Sequence, residues 1–298
     1  MPAVCTILVN FKNAEKTVAC LHALEKNTVQ PDCVYVIDNA STKESQEYFE
    51  SFTFAFKVRW IWNKENRGFA AGCNQGIRAS LEEYPNSYVW LLNNDTEPTP
   101  TALEKILEKS ITANAGITGS LIQKANGEFS GGVGFIHPKF ASVRRPASVT
   151  EKKFDYVEGS SFLISPGCLQ KTGLLSEDFF LYFEESDYCY KAKQNGFTLA
   201  WATDSVILHD IGSSTGSENA KGAVPYFIDC LMIRNRIHFA LKNGFPTLGI
   251  LLGLGISLAL RIKRFQFSRV TTILKITLSK SSFKKFIEKN GGYYEIQE

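Results

Sequence analysis

The sequence predicts an α/β fold: a Rossmann-like, mostly parallel sheet flanked by helices, followed by a C-terminal helical extension. Three observations predict it. Short apolar runs rich in β-branched and aromatic residues recur through the first hundred residues, the segments between them carry apolar residues at helical spacing, and the chain beyond residue 225 reads as helix.

The runs are VCTILV (4–9), CVYVI (33–37), VRWIW (58–62) and YVWLL (88–92), as strands buried on both faces should be. Between them, AEKTVACLHALEKN (14–27) and FAAGCNQGIRASLEE (69–83) have helical periodicity. Strand, helix, strand in that order predicts right-handed crossovers. After residue 115 the pattern loosens through SGGVGF (130–135) and VEGSSFLISP (157–166), so irregular strands and loops covering one end of the sheet are expected there. A helix is expected over 184–195, stopped by Gly196, and TLAWATDSVILH (198–209) returns as strand. PYFIDCLMIRNRIHFALKNG (225–244) is helical, and FPTLGILLGLGISLAL (245–260) carries no charge. The latter is shorter than the roughly 20 residues of a spanning helix and holds Pro246 and three glycines. The expected division is residues 1–224, in halves of about 1–115 and 116–224, then 225–298.

Composition narrows the class. With 298 residues, 44% hydrophobic and 21% charged, the chain has enough apolar content for one large core and an appendage. Its start, MPAVCTILVNF, lacks the features of a secretory signal, so a cytoplasmic location is expected. The seven cysteines are scattered, odd in number and never spaced C-x-x-C, which argues for reduced, buried thiols rather than disulfides or a zinc knuckle. The net charge of +3 is uneven: residues 261–298 hold nine Lys/Arg and three Glu, leaving 24 basic against 27 acidic residues before them.

Ligands of such sheets bind beyond the carboxyl ends of the strands. All four ends are polar here: Asn10 to Asn13, Asp38 to Ser41, Asn63 to Gly68, and Asn93 to Asp95 in LLNNDTEP. Asp95 is either a metal or phosphate ligand or a turn and cap residue, with Asn93 and Asn94 beside it. Asp38 is either a nucleotide-reading carboxylate or, with Asn39, an Asx turn. No G-x-G-x-x-G follows the first strand, which removes the dinucleotide fingerprint of a dehydrogenase. In NKENRGFAAGCNQGI (63–77), Gly68, Gly72 and Gly76 either let backbone N–H groups approach a phosphate or ribose or pack a helix closely on the sheet. Glu184, Glu185 and Asp187 crowd one helix start, as a general base or an acid-rich first turn would. His209 ends a strand and is a second candidate metal ligand with Asp95, or an ordinary hydrogen-bonded histidine.

Taken in order, these stretches resemble the inverting nucleotide-sugar glycosyltransferases of family 2, with the GT-A fold, and among them the bacterial rhamnosyltransferase-like members. The resemblance spans about residues 4–240. It makes 1–224 a catalytic domain with a nucleotide-sugar half and an acceptor half. NND stands at the family's metal- and diphosphate-binding element, giving Asp95 the metal and Asn93 and Asn94 nucleotide roles. DNASTK matches the element after the second strand, so Asp38 and Asn39, with Asn10, face the nucleotide; Lys43 stands where a second acid is common. The N-x-G-F-x-x-G-x-N-x-G signature is intact in Asn66, Gly68, Phe69, Gly72, Asn74 and Gly76. VEGSSFLISP resembles the sugar and acceptor lining, pointing to Gly159 and Ser160. FFLYFEESDYCYK resembles the catalytic segment, whose second acidic position is Glu185 here, with Glu184 and Asp187 as alternates and Lys191 in place of the usual Arg. VILHDIGSS assigns His209 to the metal and Ser213 or Ser214 to its support. Arg234 and Arg236 lie in the arginine-asparagine stretch, facing phosphates or making helix-surface ion pairs.

The resemblance implies a metal-dependent transferase using Mg²⁺ or Mn²⁺. It would move rhamnose from dTDP-rhamnose to a glycan or lipid-linked acceptor in surface polysaccharide (O-antigen or capsule) synthesis, with a UDP-hexose or UDP-N-acetylhexosamine as the alternative donor. A sugar-phosphate nucleotidyltransferase would open with a glycine-rich basic loop, and none is present. A non-catalytic nucleotide- or glycan-binding module is the other class. Residues 245–298 interleave basic and apolar residues, as a peripheral contact with the inner face of the cytoplasmic membrane would, or a helix packed on the core. Basic charge alone also suits nucleic acid, but the expected partners do not include it.

Overall fold

The computed structural model describes residues 2–137, 142–209 and 224–291. Three βα steps open the chain: β1 (Val4–Phe11), α1 (Ala14–Glu25), β2 (Cys33–Asn39), α2 (Lys43–Glu50), β3 (Lys57–Trp62) and α3 (Phe69–Glu83), with β4 (Tyr88–Asn93) closing the series. β2 and β4 flank β1, β3 lies outside β2, and all three pairings are parallel. The expected strands and helices of the first half therefore stand where the apolar runs put them.

Side-chain alternation divides the core. Cys5, Ile7 and Val9 of β1 face the layer of α3 with Cys73 and Ile77, whereas Val4 and Leu8 face α1, through Leu21 and Leu24. All seven cysteines are buried and free.

Beyond α4 (Ala102–Thr112), which follows the two-residue β5 (Glu97–Pro98), the structure corrects one expectation. The stretch after residue 115 does not merely cap the sheet; it supplies strands inside it. β6 (Ile117–Gln123) and the later β11 (Ser161–Ile164) continue the sheet from β4, with β11 antiparallel to both neighbours. β12 (Leu199–Leu208) then pairs parallel with β6 and antiparallel with β5. The spatial order is β3-β2-β1-β4-β11-β6-β12-β5. The small polar residues Thr118, Gly119 and Ser120 conceal β6 from a search for apolar runs, although Thr118 and Ser120 are fully buried.

β7 (Phe129–Gly131) pairs with β6, while β8 (Val133–His137), β9 (Ser142–Arg144) and β10 (Tyr156–Val157) form a small separate sheet beside it. α5 (Pro166–Thr172) and α6 (Glu184–Gln194) lie between β11 and β12. The chain ends in α7 (Tyr226–Lys242), α8 (Thr247–Lys263), α9 (Phe267–Leu278) and α10 (Lys280–Asn290), which pack on one another through Ile228, Leu231, Ile273, Ile276 and Phe286. No helix among the described residues is long and apolar enough to cross a membrane.

Candidate active site

The strand order reverses direction between β1 and β4, and that crevice is where an open α/β sheet binds its ligand. Asn10, buried at the end of β1, organises it. Its Nδ2 donates to Asp38 Oδ1 at 2.7 Å, and its Oδ1 accepts from Thr17 Oγ1 at 3.0 Å and from Asn94 Nδ2 at 3.1 Å. Asn94 donates also to Thr17 Oγ1, so the ends of β1, β2 and β4 are joined by side-chain hydrogen bonds. Asp38 Oδ2 accepts from Ser45 Oγ at 2.7 Å, near the start of α2, where Thr42 forms a capping box with Ser45. A cavity of about 460 Å³ opens over this floor, lined by Asn10, Lys12, Asp38, Thr42, Ser45 and Tyr48 among others. Lys43 points away and pairs with Glu47 at the surface.

Asn39 faces the other side, donating to the Gly68 carbonyl and accepting from Asn63. Gly68 takes φ +89°, ψ 170°, a region essentially confined to glycine, and a methyl there would stand 2.5 Å from the Phe180 carbonyl oxygen. Gly72 and Gly76 let α3 approach the sheet: a methyl at Gly76 would meet Ile7 at 2.6 Å, and one at Gly72 would meet Val9 at 3.0 Å. The α3 glycines thus serve packing, one of the two readings open from sequence.

The asparagines of the same signature grip a distant segment. Asn74 donates to the Leu175 carbonyl and to Glu177 and accepts from Leu175 N–H, while Phe69 N–H donates to the Phe180 carbonyl. Asn66 Oδ1 receives Gly68 N–H, and its Nδ2 reaches the Gly291 carbonyl at 2.8 Å. Segment 175–183, held by these contacts, leads directly into α6.

At the start of α6 the three carboxylates have different surroundings. Tyr182 and Phe183 both adopt left-handed backbone, with φ of +71° and +76°. Glu184 is buried with Oε2 unpaired, and burial first, then the neighbouring Glu185, pushes its carboxyl well above the usual range. Asp187 accepts from Lys242 Nζ at 2.9 Å and Asn243 Nδ2 at 3.0 Å, so it ties α6 to the end of α7. Glu185 keeps an edge open to solvent and lies against Gly159: a methyl on Gly159 would touch Glu185 Cβ at 3.7 Å and Phe69 at 3.9 Å. Burial raises Glu185 to about 7, opposed by backbone N–H groups at the helix start and reinforced by the charge of Glu158.

Glu158, in the VEGSSFLISP segment between β10 and β11, is close enough to Glu185 for its charge to raise that carboxyl. It accepts from Gly132 N–H at 3.2 Å and pairs with Arg145 Nε at 3.2 Å. Burial pushes its carboxyl up, while Arg145 and His209 hold it back. A charged residue between the apolar strands β10 and β11 was the one available signal.

Asp95 and His209 meet as expected, with His209 Nε2 3.2 Å from Asp95 Oδ1 and both side chains buried. His209 Nδ1 and the Ser160 hydroxyl are buried without hydrogen-bond partners, and Asn93 N–H donates to the Ser160 carbonyl. No group of three or more His, Cys, Asp or Glu at metal-binding spacing occurs among the described residues. A divalent ion bound with diphosphate needs only one or two protein carboxylates or imidazoles, the rest being phosphate oxygens and water, and the Asp95–His209 pair with its orphaned imidazole nitrogen fits that requirement. Ser213 and Ser214 lie outside the described residues.

Arg234 and Arg236 are turned into the protein rather than toward phosphate or the helix surface. Arg234 donates to the Asp178 carbonyl and to Asn235 Oδ1 and stacks over Phe283; Arg236 donates to the Gly253 carbonyl and Ser257. Asn235, not singled out from sequence, is fully buried and donates to the carbonyls of Leu181 and Tyr182.

Comparison with known proteins agrees with this architecture. The low-salt glycan biosynthesis hexosyltransferase Agl10 of Haloferax volcanii is 26% identical over 202 residues, covering 65% of this chain and 62% of that protein. The chain thus spans about three-fifths of the length of the curated relative it matches. Among solved structures, the mannosyltransferase PcManGT of Pyrobaculum calidifontis, in complex with GDP-Man and Mn²⁺, superposes with a TM-score of 0.56 at 12% identity, covering 99% of this chain and 88% of that one. GalNAc-T7, solved with UDP, GalNAc and Mn²⁺, gives a TM-score of 0.57 at 16% identity over 70% of this chain and 43% of that one. At these identities the two structures speak for the shared fold alone. The model of glycosyl transferase family 2 matches residues 5–170, more than half of the chain, from β1 into α5. The crevice between β1 and β4 and the glycine-packed α3 fall inside that span, and the chain belongs to glycosyl transferase family 2, with a GT-A-like fold.

Proposed function

We propose that this protein transfers a hexosyl group from a nucleoside diphosphate sugar to an acceptor hydroxyl with inversion at C1. One observation carries the reading. Glu185 stands at a helix start against Gly159, with its carboxyl raised to about 7, which suits a base working near neutral pH. Asp187 is engaged by Lys242 and Asn243, and Glu184 is sealed from solvent, so Glu185 is the carboxylate left to meet an acceptor.

In this mechanism the nucleoside occupies the cleft over Asn10 and Asp38, with Asn39 behind it bracing the Gly68 turn, and Asn93 to Asp95 face the diphosphate. Asp95 and His209 would hold the Mg²⁺ or Mn²⁺. When bound, that ion supplies charge stabilisation to the departing diphosphate. Glu185 takes the acceptor proton as the acceptor oxygen forms its bond to C1 from the opposite side and the C1–O bond to diphosphate breaks, releasing nucleoside diphosphate. Ser160, with a buried unpaired hydroxyl, and Gly159, which leaves space above Glu185, line the sugar and acceptor end. Residues 1–224 form the catalytic unit and 225–298 its extension.

The favoured donor is dTDP-rhamnose, and the favoured acceptor a glycan or lipid-linked glycan of surface polysaccharide at the inner face of the cytoplasmic membrane. These finer assignments rest on the motif resemblance. A thermal-shift panel of dTDP, UDP, GDP and CMP with and without Mn²⁺ tests the site, because a ligand of the folded state raises its melting temperature. A Mn²⁺-dependent rise with dTDP supports the reading, a rise with UDP alone reassigns the donor, and no rise with any nucleotide counts against the site.

A further inference from the structure

The C-terminal lobe has a surface that does not belong in water. Residues 247–260 of α8 contain no charged side chain, yet only one face is packed. Gly249, Ile250, Gly253 and Ser257 are buried on the inner face, which Arg236 stitches to α7 through the Gly253 carbonyl and Ser257 Oγ. The opposite face presents Leu248, Leu251, Leu252, Ile256 and Leu260, each at least 44% exposed. These positions recur at helical spacing, so they form one apolar stripe. Phe265, in the turn to α9, is 82% exposed and extends it. A soluble surface carries such residues singly; a contiguous stripe marks a docking face.

Charge says what docks there. Between Asp229 and Glu288 the sequence contains no acidic residue at all. Asp229 itself is taken up by Arg261 and Arg269. Lys263 and Arg264, at the end of α8 where the stripe stops, are exposed, as is Lys275 on α9. An apolar stripe edged by unopposed cations complements an anionic lipid surface, and the same edge repels a second copy of itself. The fourteen uncharged residues of α8 measure about 21 Å, less than the roughly 30 Å of a hydrocarbon core, so α8 would lie along the interface rather than cross it.

We infer that the outer face of α8, with Phe265 and the neighbouring cations, is a docking surface for an anionic membrane. This deepens the membrane-side acceptor reading above, but its test needs neither nucleotide nor sugar, so the two fail separately. The full chain is sedimented with vesicles of phosphatidylcholine alone and of phosphatidylcholine with phosphatidylglycerol, at low and high salt. Binding is expected to the anionic vesicles only and to weaken with salt. The triple variant Leu248→Glu, Leu252→Glu and Ile256→Glu is expected to abolish it while keeping the wild-type melting temperature, because those side chains touch solvent. As a second variant, Lys263→Gln with Arg264→Gln should weaken vesicle binding about 30-fold, at roughly fivefold per cation. Failure of the wild-type chain to bind anionic vesicles overturns the inference, as does equal binding by the triple variant. So does a wild-type dimer in solution that the triple variant dissociates, since the face would then belong to a second copy.

Discussion

Asn235 bears on catalysis without reaching the substrate. Its buried amide donates to the carbonyls of Leu181 and Tyr182, at 2.9 and 3.1 Å, on the segment that turns through two left-handed residues into Glu184 and Glu185. Left-handed backbone costs about 1–2 kcal/mol per non-glycine residue, so the Tyr182–Phe183 pair stores about 2–4 kcal/mol. Asn235→Ala removes these two buried hydrogen bonds, at about 1–3 kcal/mol each, or about 2–6 kcal/mol, comparable with the strain the amide restrains. The segment should therefore relax, and a displacement of about 1 Å at a reacting group costs on the order of 10²-fold in rate. We expect kcat to fall about 10- to 100-fold, with donor KM changed by less than about threefold, measured as nucleoside diphosphate release in the presence of acceptor. Asn235→Asp discriminates further: it keeps the shape and gains an ion pair with Arg234, but a carboxylate cannot donate to the two carbonyls. It should lose activity as Ala does while losing less stability. Wild-type kcat in both variants, with only a lowered melting temperature, would refute the positioning role.

Three other outcomes follow from the same geometry. The general base must be ionised, so transfer should rise with pH through about 7; because the Glu185 carboxyl is raised above its unfolded value of about 4.3, the fold holds an extra proton in that window, and stability should fall as pH rises across it, as a denaturation series from pH 4 to 8 would show. A flat activity profile across that range would remove Glu185 from the reaction. Gly68→Ala forces a methyl against the Phe180 carbonyl in a backbone region nearly closed to other residues, and should cost about 1–3 kcal/mol, read from urea melts. His209→Ala should weaken Mn²⁺-dependent nucleotide binding in the thermal-shift assay while leaving metal-free nucleotide binding unchanged; an unaltered Mn²⁺ response would exclude His209 from the metal site.

The first half of the fold was legible because β1, β2 and β4, buried on both faces, leave apolar runs with polar punctuation, and the crevice forms at that punctuation. β3, also expected as a buried strand, is instead the half-exposed edge strand, its run kept apolar by Trp60, Ile61 and Trp62. Asn10, Asp38 and Asn94 are joined through hydrogen bonds across three strand ends, while Asp95 and His209 meet from β4 and β12. What stayed hidden depends on contacts without local periodicity. Asn74 and Leu175 are 101 positions apart, and nothing near either announces that the α3 signature and the segment before α6 form one unit. Arg234 and Asn235 look alike in sequence as polar residues on a helix, and only the packing of α7 against segment 178–182 shows that they serve its carbonyls. Glu158 was concealed by its apolar neighbours, and β6 by the small polar residues buried within it. The carboxylate cluster was visible, but separating its members required their partners: Lys242 and Asn243 for Asp187, an enclosed site for Glu184, and Gly159 for Glu185.

The most direct test compares wild type, Glu185→Gln and Glu184→Gln for acceptor-dependent release of nucleoside diphosphate, using the donor whose nucleotide raises the melting temperature. Loss of the general base predicts a fall of about 10²–10⁴-fold in Glu185→Gln, with the nucleotide-induced thermal shift retained and Glu184→Gln close to wild type. Wild-type turnover in Glu185→Gln, or the loss appearing in Glu184→Gln instead, would contradict the account.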